Sequence, residues 1–204
     1  MDTMKSDSFS FGRQDRILMG VLVVIPMILL FTGVYGGLMQ TLFRAGIIQS
    51  DPFMGPDYYK GLTLHGVMNA IVFTTFFAVA LGNGLIPYSL RKPLNTTWAW
   101  VSGALMLIGS VLAALTIFIG EASVLYTFYP PLKASPLFYI GLVLLVVGSW
   151  VAFFNWIPMY VGWRRENPGR KTPIAVLGMF TTFIVWFIAT LSVAVEILFM
   201  LLPW

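Results

Sequence analysis

The chain contains one histidine, His65, in the run Gly61-Leu62-Thr63-Leu64-His65-Gly66. An imidazole is the commonest biological metal ligand, and it binds in its neutral form through one ring nitrogen. The apolar residues around His65 imply a place inside a bilayer, where an unpartnered polar group costs ~2–7 kcal/mol, so the ring needs a metal or a hydrogen-bond partner. A haem iron meets that need. On α-helical spacing Met68, Asn69, Val72 and Phe76 share the face of His65, and Gly61 and Gly66 remove bulk beside it, so a flat macrocycle can approach the backbone. The same spacing also lets His65 bond Asn69 or a carbonyl of another helix as polar glue. Spacing alone leaves both readings open.

Other polar residues in apolar surroundings are few. Glu196 lies in the external third of the last apolar segment, where a carboxylate must pair or reach the surface; it can serve a proton path or make a structural bond. Glu121 falls at a helix end, where interfacial solvation accounts for it, and Asn155 reads as interhelical glue. Gly33-x-x-x-Gly37 permits close helix packing, a motif that is common by chance.

These residues must be positioned by membrane helices. Of 204 residues, 58% are hydrophobic and only 10% charged, against roughly 25% charged in a soluble domain. The mean hydropathy is +0.86. Five apolar segments, at about 17–39, 62–88, 98–120, 137–163 and 174–202, are each long enough to cross a hydrocarbon core of ~30 Å. The expected fold is therefore all-α, a polytopic transmembrane helix bundle forming a single domain over 1–204. This excludes soluble enzymes, nucleic-acid binders and disordered tails. The net charge of +4 needs no nucleic-acid partner, since the cations sit at segment ends. Zero cysteines exclude a disulfide framework, a thiolate metal site, an iron–sulfur cluster and covalently attached c-type haem.

Charge also sets an expected orientation. Lys5, Arg13, Arg16, Arg91, Lys92, Arg164, Arg165, Arg170 and Lys171 fall on one side of an alternating topology, and Arg44, Lys60 and Lys133 on the other. Nine against three puts the amino terminus and two turns in the cytoplasm and the carboxyl terminus outside. The first segment has too long an apolar run for a cleaved signal and is expected to remain as a helix. Asn95-Thr96-Thr97 matches a glycosylation acceptor but falls on the cytoplasmic side. Two external connections follow, one of about 22 residues with Asp51-Pro52 and Gly55-Pro56-Asp57, and one near 121–136 with Pro130-Pro131. Tyr58, Tyr59, Tyr126, Tyr129, Tyr139, Trp98 and Trp204 fall near the interfaces, as an aromatic belt requires. Leu201-Leu202-Pro203-Trp204 lacks the polar tail that usually follows a final span, which suggests that the chain continues as a missing segment or a separate polypeptide.

Two long motifs carry a resemblance. One is Tyr58-Tyr59-Lys60-Gly61-Leu62-Thr63-Leu64-His65-Gly66-Val67-Met68-Asn69-Ala70-Ile71-Val72-Phe73-Thr74, and the other is Val124-Leu125-Tyr126-Thr127-Phe128-Tyr129-Pro130-Pro131-Leu132-Lys133. With Asn167-Pro168-Gly169-x-x-Thr172-Pro173 and the closing Leu-Leu-Pro-Trp, they resemble subunit I of the haem–copper oxygen reductases, best the B-type, ba3-like branch. The cytoplasmic turn after the second helix lacks the aspartate that opens a proton channel in A-type relatives, which also favours the B-type.

The resemblance covers five helices of a family with twelve or more. It implies that His65 is an axial ligand of the low-spin haem b, and that Tyr126 and Tyr129 lie near the oxygen route and the active centre. It also implies that the high-spin haem and copper B are held by the remaining helices of subunit I, since the family's other ligands lie there. No catalytic residue is then expected within this chain. Electrons would come from cytochrome c through a dicopper subunit II, dioxygen would be reduced to water, and proton translocation would belong to the complex in a prokaryotic cell (inner) membrane. Two other readings fit the residues: a small b-haem carrier or quinone-reactive protein, with His65 opposed by Met106 or by a partner's histidine, and a non-redox scaffold or transporter.

Overall fold

The computed structural model describes residues 9–53, 55, 57–129 and 131–201. Lys5, Pro56, Pro130 and the closing Leu202, Pro203 and Trp204 lie outside the described residues. The elements in order are α1 (Arg13–Arg44), α2 (Tyr58–Gly66), a π-helical segment (Val67–Phe73), α3 (Thr74–Leu90), α4 (Thr96–Phe118), α5 (Pro136–Glu166) and α6 (Ile174–Leu201). Because α2, the π segment and α3 run on without a break, they form one span, and five helices are long and apolar enough to cross a membrane. At 1.5 Å per residue the 32 residues of α1 reach about 48 Å, so its charged ends Arg13 and Arg44 extend beyond the ~30 Å hydrocarbon layer.

Local chemistry sets the boundaries. Asp57 caps α2 by accepting from the Tyr59 amide at 2.9 Å, and Asn95 caps α4 by accepting from the Trp98 amide at 3.4 Å. Arg91 closes α3 in the left-handed region, at φ 51°, with Pro93 just beyond. Pro136 occupies the first turn of α5, where its missing N–H costs nothing.

Small residues let the helices approach. The most extensive helix pair is α4 with α5. There Gly141 faces Gly109 so closely that a Cβ on Gly141 would lie 2.7 Å from the Gly109 carbonyl oxygen, and Ser102 Oγ donates to the Gly148 carbonyl at 2.7 Å. Indole donors tie α5 to its neighbours: Trp156 Nε1 donates to Asn83 Oδ1 of α3 at 2.8 Å, and Trp150 Nε1 to Thr190 Oγ1 of α6 at 2.8 Å. Trp186 Nε1 of α6 returns a bond to Ser149 Oγ at 2.9 Å. Asn155 Nδ2 donates to the Asn95 carbonyl at 3.0 Å, the interhelical bond expected of it.

The connection between α4 and α5 folds over one end of the bundle. Ala122 pairs with Ala134 in an isolated antiparallel bridge, and the Leu125 amide donates to Thr63 Oγ1 of α2 at 2.9 Å. Val124 and Phe128 are buried, and Phe128 packs against Phe138 and Tyr139. Tyr139 is therefore not a belt residue: it is 2% exposed within this aromatic cluster. Glu196 is half-buried near the end of α6, whereas Glu121 stays exposed.

Candidate functional site

His65 occupies the last turn of α2, immediately before the helix widens into the π segment. Its Nδ1 lies 2.9 Å from the Gly33 carbonyl oxygen of α1 and 3.1 Å from Asn69 Nδ2. One nitrogen cannot donate to the first and accept from the second. With the proton on Nδ1 the ring donates to Gly33, and Asn69 must then turn its oxygen towards the ring. The lone pair is left on Nε2, the nitrogen free to ligate. Ligation and interhelical glue are thus compatible, because the glue uses only one side of the ring.

The glycines of α1 make this seat. A Cβ on Gly37 would stand 2.6 Å from His65 Nδ1 and 2.9 Å from its Cε1, and a Cβ on Gly36 would meet the Gly61 carbonyl oxygen at 2.7 Å. Any side chain at either position would push α2 or the imidazole away. At Gly33 the same space is filled by the Asn69 amide. The Gly33-x-x-x-Gly37 pattern therefore does more than admit a neighbouring helix: it receives the polar side chains of His65 and Asn69.

Of the four residues that α-helical spacing sets on the His65 face, Asn69 bonds the ring. Met68, Val72 and Phe76 are fully buried in the core, whereas His65 is exposed on the open side of the bundle. A π-helical segment, Val67–Phe73, follows directly, and its wider turn shifts the spacing of Val72 and Phe76 relative to His65. Such segments recur at functional positions, and sequence spacing does not reveal them.

His65 lines a groove of about 600 Å³ with Leu62 and Tyr58 of α2 and with Val34, Gly37, Leu38, Gln40, Thr41 and Arg44 of α1. That volume is within the ~300–1,000 Å³ of small-molecule and cofactor sites. One flank is apolar, and Gln40, Thr41 and Arg44 supply a polar end. Their position one to two turns beyond Gly37 on α1 was the sequence signal for them. The donor set of a single imidazole beside an uncluttered glycine surface fits a flat metallomacrocycle.

The two tyrosines differ. Tyr126, 52% exposed, packs its ring on Gly66, the residue after His65; a Cβ on Gly66 would come 2.8 Å from Tyr126 Cδ1. Tyr129 is 60% exposed on the connection, held by its amide's 2.8 Å bond to the Val124 carbonyl, and is not brought to the groove.

The five-span bundle that holds these residues is shared with known proteins. The family described as Cytochrome C and Quinol oxidase polypeptide I matches residues 16–204, and the chain belongs to that family. It is 42% identical over 153 residues, 75% of its length, to "Cytochrome c oxidase subunit 1" of Thermus thermophilus, of which it spans 27%. A solved haem–copper terminal oxidase dimer superposes with a TM-score of 0.88 at 48% identity, covering 95% of this chain and 33% of that one. The chain thus spans about a third or less of the relatives it matches.

Proposed function

We propose that this chain forms the amino-terminal five-helix part of the catalytic subunit of a B-type, ba3-like terminal oxidase, and that His65 is one axial ligand of its low-spin haem b. The observation that carries the reading is the Nδ1 contact with the Gly33 carbonyl, which fixes the ring and leaves Nε2 unprotonated beside the groove. When bound, the haem supplies a one-electron iron couple whose potential depends on ligand identity, burial and hydrogen bonding.

The chain's own residues do the rest. His65 Nε2 offers the lone pair, and its Nδ1–H bond raises the basicity of that ligand, as outer hydrogen bonds do for metal-bound imidazoles. Gly37 keeps the ring's surroundings clear. Gln40 and Arg44 offer N–H donors to acidic substituents of the macrocycle, while Thr41 donates its hydroxyl to the Gly37 carbonyl at 3.1 Å. Tyr126 and Tyr129 lie near the oxygen route to the active centre, with Tyr126 closing over Gly66 beside the ligand.

The high-spin haem and copper B belong to the remaining helices of subunit I. A dicopper subunit II passes electrons from cytochrome c, dioxygen is reduced to water, and the complex translocates protons across a prokaryotic inner membrane. The distribution of Lys and Arg supports a cytoplasmic amino terminus.

The test is a reduced-minus-oxidised spectrum with copper analysis on the complex purified through a tag on this chain. Low-spin b-haem and high-spin haem bands together with copper are expected. A lone b-type signal without copper would instead favour the small electron carrier, and absence of haem would leave a scaffold.

A further inference from the structure

A second groove, remote from His65, lies between the start of α4 and the second half of α5. It encloses about 690 Å³, with Lys92 at its mouth and Asn95, Trp98, Val151, Phe154 and Pro158 among the residues along its length. The geometry points to a binding site for one anionic phospholipid, its phosphate at Lys92 and an acyl chain along α5.

Three observations select that occupant. First, the α5 residues lining the groove run from Val151 to Met159, only about 12 Å along a helix axis against the ~30 Å that a spanning helix covers. A transmembrane partner helix would need a groove of twice that length. Second, the Lys92 ammonium, tied to Glu166 at the end of α5, marks the outer end of the groove, Asn95 and Asn155 meet midway along it through a 3.0 Å bond, and Val151, Phe154 and Trp98 line its inner part with carbon. Trp98 and Phe154 wall it and remain exposed.

Third, this end of the bundle is strongly cationic. Among the described residues it carries Arg13, Arg16, Arg91, Lys92, Arg164, Arg165, Arg170 and Lys171 against the carboxylates of Asp15 and Glu166. Asp15 is engaged by the Thr96 hydroxyl at 2.7 Å and does not line the groove. Glu166 takes one of the three Lys92 N–H donors, at 2.5 Å, and leaves two for a phosphate. Basic pockets between membrane helices select anionic headgroups for this reason.

The test uses the detergent-purified complex that contains this chain, stripped of lipid and titrated with phosphatidylglycerol or phosphatidylcholine of identical acyl chains, with bound lipid counted by native mass spectrometry. The wild type should hold one phosphatidylglycerol at least about fivefold more tightly than phosphatidylcholine, the preference expected from one cation at an anionic surface. Lys92→Gln should abolish the preference. Glu166→Gln, which frees the third donor, should strengthen it. Val151→Trp, which fills the groove, should lower the number of bound lipids by one. Equal affinity for the two lipids in the wild type, Lys92→Gln and Glu166→Gln moving the preference the same way, or unchanged occupancy in Val151→Trp would each overturn the proposal.

Discussion

His65 Nδ1 and the Gly33 carbonyl oxygen meet at 2.9 Å across the α1–α2 contact, 32 residues apart in sequence. The bond spends a backbone acceptor that lies one turn before Gly37 on α1, where the carbonyl is already shared with the helix ladder. Its effect is to choose between the two tautomers of the ring, and that choice decides that the lone pair sits on Nε2.

Removing the ring tests the ligand directly. His65→Ala should eliminate the low-spin b-haem band from the reduced-minus-oxidised spectrum while this chain still assembles, because the α1–α2 contact keeps its glycine packing. A normal low-spin band in that variant would contradict the assignment.

Crowding the ring should act in the same direction without touching it. Gly37→Ala sets a Cβ 2.6 Å from His65 Nδ1, so low-spin haem content should fall, with a packing cost of ~1–3 kcal/mol at the α1–α2 contact. Gly20→Ala and Gly178→Ala meet nothing within 4 Å and serve as controls in which haem content should not change.

The amide of Asn69 is expected to tune rather than hold. Asn69→Leu removes its 3.1 Å contact with His65 Nδ1, and the loss of a neutral hydrogen bond of ~0.5–1.5 kcal/mol corresponds to about 20–60 mV in a one-electron couple. Redox titration of the low-spin haem should show that shift with haem content retained. An unchanged potential would mean that Asn69 acts only in packing.

Tyr126 touches Gly66 through ring and Cβ carbons, and its hydroxyl makes no hydrogen bond among the described residues. Tyr126→Phe should therefore leave assembly and the low-spin band intact, with at most a change in the oxygen dependence of turnover. Loss of low-spin haem would place the hydroxyl in the haem site.

The Trp156–Asn83 bond is a structural counterpart. Trp156→Phe leaves Asn83 Oδ1 unpaired beside its own Nδ2, already buried without a partner among the described residues, so thermal stability of the assembly should drop by ~1–3 kcal/mol with spectra unchanged.

The five spans were legible because hydropathy reports burial in lipid directly, yet their ends were not. The apolar stretch 17–39 becomes the longer helix Arg13–Arg44, since backbone hydrogen bonds continue past the hydrocarbon edge where side chains turn polar. His65 stood out as the one histidine, and the spacing that set Asn69 beside it matches the contact seen. The π segment Val67–Phe73 was not legible, because its composition does not differ from that of an ordinary α-helical stretch. Tyr139 failed as a belt residue for a different reason: sequence depth near an interface says nothing about the folded connection that covers it with Phe128.

The seat of His65 is built wholly from α1 and the stretch from Gly61 to Asn69. Nothing later in the chain is needed to choose the tautomer or clear the space, so this geometry is available once the first helical hairpin has entered the membrane. During synthesis the imidazole can therefore be oriented before α4, α5 and α6 have emerged from the ribosome, which makes the first hairpin the earliest intermediate of biogenesis able to present it in one tautomer.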